Sequence, residues 1–85
     1  MDGLKPGMVV KHFKRERVQD VNSLEYVYTI LAFAEHTETG EKLVIYQAMY
    51  GDNKVYARPY NLFMSAVDKV KYPRIKQNYR FEPFR

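Results

Sequence analysis

Apolar positions along this chain fall into short runs broken by polar turn residues, the pattern of strands joined by tight connections. The longest run, 26–34, holds Tyr26, Val27, Tyr28, Thr29, Ile30 and Phe33 and is apolar on both faces, which predicts a central strand. A helix is the alternative there, but Tyr, Val, Thr, Ile and Phe all rank below Ala in helix propensity. Residues 42–50 predict the next strand. Its alternation puts Tyr46, Ala48 and Tyr50 on one face and Leu43, Ile45, Gln47 and Met49 on the other. A first strand over 8–13 follows the Pro6-Gly7 turn signal, a short one over 54–58 is stopped by Pro59, and 72–75 is the candidate closing strand. Between them, 14–25 reads as a long loop or the arms of a hairpin, 36–41 as a hairpin loop containing Gly40, and 51–53 as a turn. Asn61 can cap one or two helical turns over 62–67. The expected fold is all-β: about five short strands and one short helical turn, closed into a small barrel or roll because an open sheet leaves reactive edges. The expected organisation is one domain over 1–75 and a basic-aromatic tail over 76–85.

Composition narrows the class of protein. With 85 residues the chain is one small domain, and eight Tyr and five Phe argue against disorder. The absence of Cys excludes a disulfide scaffold, a Cys-ligated zinc and a thiol nucleophile. No apolar run approaches the roughly 18–20 residues of a membrane span, and the first residues lack a signal-peptide stretch. A soluble cytoplasmic protein with no membrane association is the expectation. The net charge of +4 is unevenly placed. Residues 1–68 hold eight Lys/Arg against nine Asp/Glu; residues 69–85 hold six against one. A basic segment interleaved with Tyr72, Tyr79, Phe81 and Phe84 is either a solvated tail or a surface for phosphates and stacked bases.

Catalytic constellations are scarce. The two histidines, His12 and His36, are far apart, and the serines, Ser23 and Ser65, sit in a predicted loop and a short helix, so no triad is credible. Four single glycines make no phosphate loop. His36 and Glu38 lie on one side of an extended chain, as half a metal site or as loop residues bonding their neighbours. Gln47 interrupts an apolar strand, where an amide satisfies a buried backbone group or reads a ligand. Arg58, at a strand end, can hold an anion or pair internally with Glu38. Tyr46, Tyr50, Tyr56 and Tyr60 form either a groove or a core with hydroxyls at its rim.

These segments together resemble a family. His12-Phe13-Lys14, then Ala34-Glu35-His36-Thr37-Glu38-Thr39, then Val44-Ile45-Tyr46-Gln47-Ala48-Met49-Tyr50-Gly51, then Arg58-Pro59 with Phe63 are similar to the motifs of the small bacterial family called domain of unknown function 1653. Tyr28 and the Tyr72-Pro73-Arg74 end match as well, so the resemblance spans about residues 7–75. Arg15 stands where the family has Gly, about ten residues are inserted before the tyrosine, Tyr56 replaces a Trp, and Ile75 replaces an aromatic residue. The resemblance implies an SH3-like barrel and assigns no activity. It marks His36, Glu38, Tyr46, Gln47, Tyr50 and Arg58.

The resulting expectation is a binding module, not an enzyme, with no cofactor and no metal. Its site would comprise His36, Glu38, Tyr46, Gln47 and Arg58, taking a small ligand or a protein partner. The alternative is nucleic-acid binding through Lys69, Lys71, Arg74, Lys76 and Arg80. A monomer or weak dimer is expected.

Overall fold

A computed structural model describes residues 3–84. It contains five strands: β1 (Val9–His12), β2 (Val27–Glu35), β3 (Lys42–Ala48), β4 (Val55–Pro59) and β5 (Phe81–Pro83). A 3-10 turn, Phe13–Arg17, follows β1, and a single-turn helix, α1 (Tyr60–Phe63), follows β4. All strand pairings are antiparallel, in the order β4-β3-β2-β1-β5. The fold is therefore all-β, as expected. This order leaves β4 and β5 at the sheet's edges, and closure into a barrel is not shown.

The connections follow their turn chemistry. Gly40 (φ +73°) closes the β2–β3 hairpin, its N–H donating to His36 O at 2.8 Å. A register shift between Ile30 and Ala32 makes Leu31 an extra, exposed residue in β2. Such a bulge bends its strand and increases the local twist. The curled face carries Val10, Tyr28, Ile30, Val44, Tyr46, Ala48 and Phe81, all buried. Phe63 of α1 covers this core, its ring stacked on Phe81 at 4.0 Å and 6°. A smaller cluster of Phe13, Val67 and Ile75, with Tyr72 against it, fills the space beside the 3-10 turn.

The inserted segment after Lys14 becomes the 3-10 turn and a loop, not the arms of a hairpin. Arg15 spans the loop, donating to Glu25 O at 2.8 Å. Asn22 N–H donates to Asp20 Oδ1, and Glu25 N–H to Ser23 Oγ.

Three expectations change. The helix is confined to Tyr60–Phe63, and its N-cap is Pro59 with no side-chain cap bond, so Asn61 does not cap it. Residues 72–75 form turns, with Tyr72 N–H donating to Asp68 O and Ile75 N–H to Tyr72 O. Asp68 Oδ1 accepts from Val70 and Lys71 N–H, which tightens this bend. The closing strand is β5 instead, within the segment expected to be a tail. Its Phe81 is 1% exposed, and β5 pairs with β1. The backbone that leads into it is held by side chains. Gln77 Nε2 donates to the carbonyls of Lys11 and Tyr79, and Glu82 Oε2 accepts from Asn78 and Tyr79 N–H. Residues 76–84 thus belong to the folded unit; Arg85 lies outside the described residues.

A cationic cleft as the candidate functional site

Register decides which polar residues share a face. Val44 pairs with Arg58 and Tyr46 with Tyr56, so Arg58 and Tyr46 lie diagonally on the curled face of the sheet. Arg58 Nε donates to Tyr46 Oη at 3.2 Å, and its guanidinium lies 5.9 Å from the centre of the Phe81 ring. On β1, His12 pairs with Phe81, with the two rings edge to face at 5.1 Å.

His12 has two structural roles. It ends β1, and as N-cap of the 3-10 turn its Nδ1 accepts from Lys14 N–H at 3.1 Å. With Nδ1 an acceptor, the neutral ring carries its proton on Nε2. The imidazole is held neutral: burial, then Arg58, Arg80 and Lys14, lower its pKa from 6.5 to about 4. Arg80 is itself lowered, first by burial and then by Arg58, so the two guanidiniums repel one another.

Two adjacent recesses that share His12, Lys14 and Arg58 open here. The smaller one, about 170 Å³, is also lined by Tyr26, Tyr28, Tyr46 and Phe81. Tyr28 and Tyr50 share a hydroxyl hydrogen bond of 2.9 Å beside it. Burial, followed by that bond, raises the Tyr28 pKa, so its proton stays on. Tyr26 reaches the recess from a left-handed backbone (φ +65°), unusual for a bulky residue. The larger recess, about 290 Å³, adds Lys71, Arg80 and Asp68 to those three. It therefore gathers four cationic side chains and one carboxylate. That carboxylate accepts two N–H bonds of its own turn. Among the described residues, the hydrogen bonds of the Arg58 and Arg80 guanidiniums go to Tyr46 Oη, Leu62 O and Ser65 Oγ, none of them a carboxylate.

The residues expected from the sequence are distributed unevenly around this cleft. Tyr46 and Arg58 are in it together. Gln47 points to the opposite face of β3, where its Nε2 donates to Asn53 O at 3.0 Å and steadies the β3–β4 turn. His36 and Glu38 belong to the β2–β3 hairpin loop, beyond the Glu35–Lys42 pair and about four residues, roughly 13 Å, along β3 from Tyr46. His36 Nδ1 accepts from Glu38 N–H at 3.1 Å and Thr39 N–H at 3.4 Å, which makes it a loop-closing residue. The internal Glu38–Arg58 pairing is not formed, since Arg58 turns to Tyr46. Of the basic set, Lys71 and Arg80 line the cleft, Lys69 Nζ donates to the carbonyls of Ile75 and Gln77, and Arg74 and Lys76 are exposed.

His12 and Lys14 are in the cleft but not in the site expected from the sequence. Their signal was the His12-Phe13-Lys14 motif, legible as a motif but not as a neighbour of Arg58. Among the described residues, no group of three or more His, Cys, Asp or Glu side chains could hold a metal ion, and no helix is long and apolar enough to cross a membrane.

Comparison with known proteins gives a family and nothing beyond it. No curated protein and no solved structure matches the chain. The family model for "Protein of unknown function (DUF1653)" matches residues 8–83. The match extends past residue 75, where the resemblance in the motifs ended, and takes in β5. His12, Lys14, Arg58 and Arg80 all fall within it. Matched over nearly its whole length, the chain belongs to the DUF1653 family.

Proposed function

We propose that this domain is a non-enzymatic module that binds a small organic anion in the cleft between Arg58, Arg80, Lys14 and Lys71. One observation carries the reading. Two mutually repelling guanidiniums and a histidine kept neutral by burial and by them face one cleft, and among the described residues no carboxylate hydrogen-bonds either guanidinium. Like charges gathered on a folded surface disfavour one another, and an anion relieves that repulsion. Arg58 offers a planar fork for a carboxylate or phosphate, and Tyr46 holds the fork in place.

The test is an amide NMR titration of the whole chain with inorganic phosphate. Shifts concentrated at His12, Lys14, Arg58 and Arg80, and abolished in Arg58→Gln, support the reading. Shifts spread evenly over all basic residues, or none at millimolar phosphate, overturn it.

A second reading is single-stranded nucleic acid running from the cleft over Arg74 and Lys76. It is favoured by the exposure of those two side chains beside Lys71. It predicts affinity for an oligonucleotide that falls steeply with salt.

A further inference from the structure

The two edges of the sheet are not equally closed. β5 is three residues long, and its bonds to β1 run through Arg80 O and Phe84 N–H. The positions it turns outward are therefore Phe81, which is buried, and Pro83, which has no N–H. β4 pairs with β3 alone and lies open. We infer that the outer edge of β4 adds an extended peptide strand of a protein partner, with acidic side chains opposite Lys54 and Arg58 and apolar ones opposite Val55 and Ala57. This goes beyond the anion reading and does not rest on it, since Arg58 is the one residue the two share.

Register fixes which backbone groups are free. Ala48 N–H donates to Lys54 O at 2.9 Å, and bonded pairs alternate along an antiparallel ladder. Tyr46–Tyr56 and Val44–Arg58 are thus the bonded pairs, and Gln47–Val55 and Ile45–Ala57 are not. Val55 and Ala57 turn their N–H and C=O groups away from β3, and among the described residues nothing hydrogen-bonds to them. Their surroundings leave room: Val55 is 55% exposed, Tyr56 42%, and Ala57 is exposed as well. An edge of this kind is a template for a further strand, and main-chain bonds supply the affinity.

Side chains specify the occupant. Val55 and Ala57 share the outer face with Gln47 and Ile45, and β3 and β4 place no charge on that face. A strand laid beside them extends the face with apolar residues. The other face alternates Lys54, Tyr56 and Arg58. Neither β3 nor β4 contains Asp or Glu, and Asp52 belongs to the turn before them. Arg58 spends its Nε on Tyr46, and its terminal nitrogens make no hydrogen bond among the described residues. Two copies of β4 placed antiparallel about Tyr56 would also join these backbone groups. That register, however, sets Lys54 of each copy opposite Arg58 of the other, and like charges directly opposite destabilise a sheet. An acidic strand turns both repulsions into attractions.

Amide NMR and isothermal titration of the whole chain with the peptide acetyl-Thr-Glu-Val-Tyr-Val-Glu-Thr-amide test this. Its side-chain order is the same in both directions, so it suits parallel or antiparallel addition. The largest shifts and slowed hydrogen exchange should fall on the Val55 and Ala57 amides. N-methylation of both peptide valines should abolish binding, and lysines in place of both glutamates should weaken it about fivefold or more. Lys54→Glu, a change at an exposed turn residue, should also weaken the acidic peptide several-fold. No binding at millimolar peptide, or shifts that avoid Val55 and Ala57, overturns the edge assignment. Equal affinity for the lysine peptide overturns the acidic partner. Exchange at Val55 and Ala57 that slows with protein concentration, without peptide, overturns the proposal in favour of a second copy.

Discussion

Arg58 Nε donates to Tyr46 Oη at 3.2 Å across two neighbouring strands whose register sets the two residues diagonally on one face. The bond holds a guanidinium over an aromatic core, where it can meet an anion without first losing side-chain freedom. Tyr46→Phe keeps the ring and removes the acceptor. It should cost about 0.5–1.5 kcal/mol of stability and weaken phosphate binding several-fold, as read by denaturant midpoint and titration. Unchanged phosphate affinity would show that Arg58 needs no such support.

His12 makes stability depend on pH in a defined window. Its folded pKa of about 4 lies below the ordinary 6.5. Between those values the unfolded chain binds a proton that the folded chain refuses, so stability is intact above pH 6.5 and falls as pH drops toward 4. The loss reaches up to about 3 kcal/mol at the low end. In His12→Asn the side chain can still accept at the N-cap position, and the pH slope across this window should flatten. Identical profiles for the two proteins would remove His12 as the cause. Bound phosphate, by offsetting Arg58 and Arg80, should raise the His12 pKa measured by NMR.

Phe81 tests whether the C-terminal segment is core or tail. It is buried and stacked on Phe63 at 4.0 Å. Phe81→Ala should cost about 3–5 kcal/mol, a large share of a small domain's stability. A chain ending at residue 75 should not fold. A cooperative unfolding transition in that truncated chain would contradict the role given to β5.

Glu16 ties the two ends of the sequence together. Its carboxylate accepts from Lys76 N–H at 2.9 Å and Gln77 N–H at 2.6 Å, sixty residues away. Glu16→Ala should lower stability by about 1–3 kcal/mol and raise hydrogen exchange over residues 76–84 before the rest of the sheet. Exchange unchanged in that segment would mean that Gln77 and Glu82 suffice.

His36 and Gln47 separate framework from site. Each closes a connection through one or two local bonds. His36→Ala and Gln47→Ala should each cost about 0.5–1.5 kcal/mol and leave phosphate affinity within twofold. A larger loss of affinity in either would bring the hairpin or the outer face into the site.

The sequence by itself determined the elements whose causes are local. Alternation over 42–50 put Tyr46 and Gln47 on opposite faces, Gly40 marked the hairpin, and the β-branched and aromatic run over 26–34 marked the central strand. Each rests on a period of two or a turn conformation, both readable from neighbours in the chain. Tertiary structure alone decided the rest. β5 is three residues long, too short to show a period, and its place beside β1 depends on side chains of Gln77 and Glu82 that bind backbone. The cleft draws Lys14, Arg58, Lys71 and Arg80 from four separate stretches of chain. Linear spacing carries no signal for such a gathering. The tertiary fold brings them together, and the repulsion that results is the ground for the anion-binding proposal.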